Sequence, residues 1–437
     1  MVANVKTKKT LHVPVGFSGP DTWSWSSLEN VCDGIFDCPH STPKLTDSGP
    51  YVVRTQDIIT GVFRREEAAK VSEETYATRI KRTEPRYGDL LYSREGTYFG
   101  IAAEVPKETR VCLGQRMVLI RPKSTRIDSR FLKYWLNSSV MARHILGFRD
   151  GSVAERLNLP TIRSLPTLLP PLAEQKRIAH ILGTLDDKIE LNRRMNATLE
   201  QMARALFKSW FVDFDPVRAK LDGKAPTGLD PATAALFPST FQDSPLGPIP
   251  QGWEVVKIRD IADNSRRSIK PEQIDVELPY IALEHMPRRC IALDSWGRSE
   301  GIASGKLHFA KGDILFGKLR PYFHKVGVPA VSGICSTDIL VITPKGPEWL
   351  GFALCHLSSH ELVNYTDLAS TGTKMPRTNW KDISAYEIVL PRKEIAEAFN
   401  RQIKLYIDQI HLNIHQSRNL ETLRDTLLPK LLSRGGD

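Results

Sequence analysis

The chain repeats itself. Phe131–Ser139 reads FLKYWLNSS, and Phe352–His360, 221 residues further on, reads FALCHLSSH. The same offset carries Gly151 onto Gly372, Arg156 onto Arg377, Asn158 onto Asn379, Leu169-Pro170 onto Leu390-Pro391 and Leu199-Glu200 onto Leu420-Glu421. A register held this long restricts the fold more than any single motif does. A duplicated unit that closes on a long helix makes a two-headed, pseudo-twofold molecule, and symmetric binders suit a symmetric or bipartite ligand.

At 437 residues the chain is too long for one ordinary core, and the duplication resolves it into two copies of one unit. With 41% hydrophobic and 25% charged residues it has the composition of a folded protein. The excess of 60 Lys+Arg over 50 Asp+Glu, a net charge of +10, favours a phosphate-rich partner. The six cysteines form no Cys-x-x-Cys pair. Cys32 and Cys38, with His40, are the one local cluster, and neither their spacing nor the second copy supports a metal site. Scattered reduced thiols fit the cytoplasm. No apolar run approaches ~18 residues, so no membrane span is expected. The N-terminal MVANVKTKKTLHV lacks the apolar stretch of a signal peptide.

Within each copy, short β-rich runs alternate with Gly, Pro and Asp punctuation. Tyr51-Val-Val answers Tyr280-Ile-Ala, and Gly88-Asp89-Leu90-Leu91-Tyr92 answers Gly312-Asp313-Ile314-Leu315-Phe316 at an offset of 224, so a small insertion separates the copies. One helix is expected from Asp128 to Leu146. Asp213–Gly252, rich in proline, reads as a semi-extended connection. The clearest periodicity runs from Ile178 through Leu182, Leu185, Ile189, Asn192, Asn196, Leu199, Ala203 and Leu206, in alternating steps of four and three. That is a coiled-coil seam. Its twin runs through Phe399, Ile403, Tyr406, Ile410, Asn413, Ser417, Leu420, Arg424 and Leu427. Asn192 and Asn413 occupy equivalent positions, where a buried amide pair would fix register.

These residues resemble the specificity subunit of type I restriction–modification systems. Leu169-Pro-Pro-Leu-Ala-Glu-Gln-Lys-Arg-Ile178 is similar to the family's first conserved region, in which Pro-Pro-Leu-x-Glu-Gln opens the long helix. Trp210-Phe-Val-Asp-Phe-Asp-Pro, Leu246-Gly-Pro-Ile-Pro-Gln-Gly-Trp253 and Gly312-Asp-Ile-Leu315 also resemble family text. The second copy departs from it, reading Leu390-Pro-Arg-Lys-Glu-Ile395 without the Glu-Gln. The resemblance implies a mixed α/β fold of the α+β kind, with two duplicated target-recognition domains joined by two long antiparallel coiled-coil helices. It divides the chain into a first target-recognition domain at 1–168, a first conserved helix at 169–212, a Pro-rich connector at 213–250, a second target-recognition domain at 251–389 and a second conserved helix at 390–437. It further implies that each head reads one half of a split sequence in double-stranded DNA. Two methyltransferase subunits and the restriction/translocase subunits would be the partners, with S-adenosylmethionine, ATP and magnesium bound by them.

The residues agree with a chain that does no chemistry. There is no Asn/Asp-Pro-Pro-Tyr/Phe, G-x-G-x-x-G, His-Glu-x-x-His or Gly-x-Ser-x-Gly. Gly301-Ile-Ala-Ser-Gly305-Lys306-Leu307 is one residue short of a P-loop and has Leu where a hydroxyl must reach magnesium. Asp89 and Asp313 read as turn residues before strands. Specific DNA reading needs side chains at base edges and phosphate contacts that set register. The expected DNA-binding residues are Arg79, Lys81, Arg82, Arg94 and Tyr98 in the first head, and Arg266, Arg267, Lys318, Arg320 and Tyr322 in the second. Gly151-Ser152 and Gly372-Thr373 form a second pair of equivalent loops. Met195 and Met202 lie off the seam and are expected to dock a methyltransferase subunit. Two other readings compete: a protein-binding scaffold, which leaves the basic excess unexplained, and a self-contained nuclease or methyltransferase, which lacks its motifs.

Overall fold

The run Met117-Val-Leu-Ile120 is buried at all four positions because its strand is covered on both faces. Val118 and Ile120 enter one apolar cluster, while Met117 and Leu119 enter another. In the second copy Leu340 and Ile342 face one cluster, and Ile339 and Val341 the other. Period-two alternation between two cores explains why these strands read as continuous apolar runs.

The computed structural model describes residues 11–17, 19–58, 61–65, 68–96, 99–147, 156–370 and 375–434. The chain forms two compact units, Met1–Asp187 with Leu420–Asp437, and Lys188–Asn419. In the first, an antiparallel sheet has the order Cys32–Asp37, Met117–Pro122, Leu90–Ser93, Ala102–Glu104. A second sheet orders Lys70–Val71, Leu45–Val53, Val111–Leu113, with the last two strands parallel. Ser24–Ser27 pairs with Pro166–Leu169 to close the head.

The second unit repeats this plan and adds strands at the edges. One sheet runs Ala262–Asn264, Ile339–Pro344, Ile314–Gly317, Val326–Pro329, Ala292–Leu293. The other centres on the parallel pair Pro279–Ile281 and Gly333–Cys335, and Glu254–Lys257 pairs with Glu387–Leu390 to close the head.

Two sequence expectations are corrected here. The single helix from Asp128 to Leu146 is two helices, Ser129–Leu136 and Ser139–Leu146. Ser138 ends the first by capping the second, accepting the Met141 N–H at 3.2 Å. The break frees Asn137, whose side chain bonds both the N–H (2.9 Å) and the carbonyl (2.8 Å) of Ala102 on the neighbouring strand. The Pro-rich stretch is folded rather than semi-extended. Pro216 and Pro231 lie in the first turns of short helices, Asp215–Leu221 and Pro231–Leu236. Phe214, Val217, Phe237 and Ile249 are buried in the second unit's core, with Phe237 edge-on to Trp210 at 5.1 Å.

The long helices are Leu172–Phe207 and Lys393–Arg434. They run antiparallel: Asp186 meets Arg424 in the first unit, and Asn196 meets Asn413 in the second. Of the expected seam, Ile178, Leu182, Ile189, Asn192, Asn196, Ala203, Phe399, Ile403, Ile410 and Asn413 are buried, while Leu185, Leu199, Leu206, Tyr406, Ser417, Leu420, Arg424 and Leu427 are half-buried. Ile407, His411 and Ile414 are buried too, because this helix packs against a head as well as against its partner and needs a broader stripe than a seam. Asn192 and Asn413 do not bond amide to amide. Asn192 Nδ2 donates to Gln416 Oε1 (3.0 Å), Ser417 Oγ (3.2 Å) and the Asn413 carbonyl (3.4 Å), while Asn413 Nδ2 donates to Asn196 Oδ1 (2.8 Å).

Candidate nucleic-acid interface

Each head carries the same turn after the same strand. Leu90–Ser93 runs out at Arg94, and Ile314–Gly317 at the equivalent Lys318. A returning segment docks on each: Leu157 N–H donates to the Arg94 carbonyl at 2.8 Å, and Thr378 N–H to the Lys318 carbonyl at 3.0 Å. Isolated bridges Glu95–Arg156 and Leu319–Arg377 complete the match. The repeat is thus exact enough to bring equivalent backbone atoms together in both heads. Gly151-Ser152 and Gly372-Thr373, which precede these docking segments, lie outside the described residues, as does Tyr98.

Asp89 and Asp313 are turn residues, as read from the sequence. Each accepts a backbone N–H three residues back, from Arg86 (3.0 Å) and Ala310 (2.7 Å). Both are buried, so each also holds a partner: Arg121 at 2.7 Å for Asp89, and Arg267 together with Thr343 for Asp313.

The basic candidates separate into spent and available groups. Arg79 is 8% exposed, and its guanidinium donates to the carbonyls of Leu113 (2.7 and 2.9 Å), Ser41 (3.1 Å) and Pro39 (3.4 Å). It ties helix Glu73–Arg79 to two loops and is a structural residue, which corrects its assignment to DNA. Arg94 is half-buried and paired with Asp37 at 3.2 Å. Arg267 is committed to Asp313. Lys81 and Arg82 are exposed just beyond the helix, with Arg82 reaching the Asp37 carbonyl at 3.5 Å. Arg266 is exposed, and among the described residues no ion pair engages Arg266, Lys318 or Arg320. Tyr322 is 48% exposed.

Sequence reasoning missed Arg288 and Arg289, both exposed, with the Arg288 guanidinium 3.9 Å from the Phe323 ring centroid. The adjacent arginines after Pro287 were the available signal. What hid them is that the backbone N–H of Arg289 bonds the His324 carbonyl (2.8 Å) across 35 residues of chain.

Among the described residues no group of His, Cys, Asp and Glu is arranged to hold a metal. The Lys306 amine of the P-loop-like stretch bonds the carbonyl of its neighbour Ser304 at 3.1 Å. All six cysteines are free. Burial lifts Cys32, Cys335 and Cys355 to about 12 and Cys112 to about 11, which leaves them thiols rather than nucleophilic thiolates at neutral pH. Among the described residues no helix is long and apolar enough to cross a membrane.

A duplicated sheet-and-helix head, with basic turns at equivalent strand ends and paired long helices, is an architecture that known proteins share. Residues 20–201 match the family described as the type I restriction modification DNA specificity domain. The specificity subunit of the type I restriction enzyme HindI from Haemophilus influenzae is 26% identical over 399 residues, covering 79% of this chain and 86% of the relative. That of MjaIX from Methanocaldococcus jannaschii is 25% identical over 361 residues, covering 80% and 77%. A crystal structure of a type I S subunit from M. genitalium aligns over 96% of this chain and 99% of that one, at 14% identity and a TM-score of 0.49. The first head and most of the first long helix thus match that domain family, and the chain as a whole is similar to specificity subunits of type I restriction enzymes.

Proposed function

We propose that this chain gives a type I restriction–modification complex its DNA sequence specificity without doing chemistry itself. Each head reads one half of a bipartite target in double-stranded DNA, and the two long helices set the number of base pairs between the halves. The observation that carries this reading is the repeated turn. Identical backbone hydrogen bonds hold it at Arg94 and at Lys318, while the side chains it presents differ. One scaffold with two sets of side chains is what two different half-sites require.

The long helices also support docking of two methyltransferase subunits. Met202 is 46% exposed and its equivalent Leu423 is 46% exposed; Leu191 (44%) and Leu412 (61%) form a second equivalent pair. On each helix the two residues are eleven apart, about three turns, and so share a face. Exposed apolar residues that recur in both copies suit two copies of one partner. Met195, half-buried, has Gln416 as its equivalent, which makes Met202 the stronger docking residue. In this reading S-adenosylmethionine, ATP and magnesium are bound by the methyltransferase and restriction/translocase subunits, and the complex works in the cytoplasm.

Methylation mapping of a host genome expressing the complex tests the reading. A two-part motif is expected, and replacing the first head should change one half only. A continuous motif, or a change in both halves, would overturn it. Methyl transfer to DNA by this chain alone would overturn the non-catalytic assignment.

A further inference from the structure

At an offset of 224 the first head's Gly96, Phe99 and Gly100 correspond to Arg320, Phe323 and His324 of the second. The turns share two hydrogen bonds. Phe99 N–H donates to the Gly96 carbonyl (3.1 Å) and Phe323 N–H to that of Arg320 (2.9 Å); Ser93 N–H donates to Ile101 (2.9 Å) and Gly317 N–H to Lys325 (2.8 Å). Both corners of the turn are left-handed. In the first head they are glycines, with φ of 96° and 78°; in the second they are Arg320 and His324, each with φ of 51°. Glycine takes this conformation at no steric cost, whereas a side chain crowds its own backbone there. The second head therefore carries strain that the first avoids.

His324 accounts for its strain structurally. It is buried, and its Nε2 is 2.9 Å from the Ser358 carbonyl, which ties the turn to the helix behind it. Arg320 has no such reason. Its Nε is buried without a hydrogen-bond partner, and no ion pair engages it among the described residues. Its guanidinium lies 5.8 Å from the Phe323 centroid, on a ring already occupied by Arg288 at 3.9 Å. Two cations beside one ring, with Arg289 following Arg288 in the chain and Tyr322 exposed alongside, form a positive, aromatic corner that no ion pair among the described residues neutralises. Strain kept without structural return points to function.

We propose that Arg320 reads a guanine in the second head's half-site, with Tyr322 against the neighbouring base and Arg288 and Arg289 on adjoining phosphates. A planar guanidinium pairs with guanine O6 and N7. This rests on the specificity reading above. It also explains how the two heads differ: the first head's turn has hydrogen in place of the arginine side chain.

The test uses the chain assembled with its methyltransferase subunits and duplexes in which each base pair of the mapped target is changed in turn. Arg320→Gly relieves the strain, so its melting temperature should equal or exceed that of the wild type. It should lose selectivity at one G·C pair of one half-site, on the order of 10–100-fold, and keep selectivity in the other half. Arg320→Lys should lose part of that selectivity, since an ammonium lacks the planar fork, yet keep the salt dependence of binding, since the charge remains. If Arg320→Gly keeps every preference of the wild type, the inference fails and the specificity reading stands. If both variants weaken binding equally on all sequences, Arg320 is a phosphate contact and base reading is overturned. If the wild type shows no bipartite preference, the specificity reading fails and this inference with it.

Discussion

Asp186 on the first long helix and Arg424 on the second meet at 2.9 Å, and their repeat equivalents, Ile407 and Ala203, are both apolar and buried. The same exchange extends around them. Asp186 also accepts from the Lys133 amine (2.8 Å) and the Tyr134 hydroxyl (2.6 Å), and the equivalents of those two are Leu354 and Cys355 in the second unit's core. Four corresponding positions thus form a polar junction in one copy and an apolar one in the other. Asp186→Ala alone strands three donors and should cost about 3–5 kcal/mol. Replacing all four residues by their apolar equivalents should be neutral or stabilising. Hydrogen-exchange protection of the strand Met117–Pro122 reads both. Burial alone would raise the Asp186 carboxyl, but Lys133, Tyr134 and Arg424 outweigh it and hold it below the ordinary value. A depressed carboxyl contributes fully above its unfolded value of about 3.9 and loses that contribution as pH falls through the folded one. Protection should therefore decline on acidification below about pH 4 more steeply in the wild type than in the fourfold variant. Glu104 nearby, raised by burial, acts in the opposite sense.

Arg79 should matter to stability and not to DNA. Arg79→Ala leaves the Leu113, Ser41 and Pro39 carbonyls without their donor, at a cost of about 2–3 kcal/mol, seen as a lower melting temperature. Lys81→Ala and Arg82→Ala should leave melting unchanged. Each should lower the slope of log affinity against log salt by about 1. A normal melting temperature for Arg79→Ala would return it to the list of DNA contacts.

Met202→Glu and Leu423→Glu should each reduce the methyltransferase recovered with the chain, and together should abolish it while the heads keep their circular dichroism spectra. Met195→Glu should have the smaller effect, since Met195 is half-buried and its equivalent is Gln416. Undiminished co-purification of the double variant counts against docking at this face.

Helix length should set the target's gap. A heptad inserted after Asp187 and another after Asn419 would preserve the phase of the stripe. Those points are where the chain passes from one compact unit to the other, so the Asn192–Asn196–Asn413 amide layer stays intact. Insertions near Asn196 and Ser417 would split that layer. Each helix grows by ~10 Å, about three base pairs of rise. Methylation mapping should recover both half-sites with a wider gap; an unchanged gap rules the helices out as the ruler.

The repeat, the long helices and the positions of the seam were legible in the sequence because each rests on local periodicity, and helix periodicity survives folding. So did the strands at Leu90 and Ile314, whose Gly-Asp turn announces them. The break at Ser138 and the packing of the Pro-rich stretch were not legible, because both depend on which distant surface the segment meets. The basic residues show the limit most clearly. Arg79, Arg94, Arg267 and Arg320 look alike along the chain, and only the fold brings Leu113 to the first, Asp37 to the second, Asp313 to the third and, among the described residues, no carboxylate to the last. A charge's role depends on its partners, and those partners lie tens of residues away. The duplication was written in the sequence; which of its cations remain free for a ligand was decided by tertiary contacts.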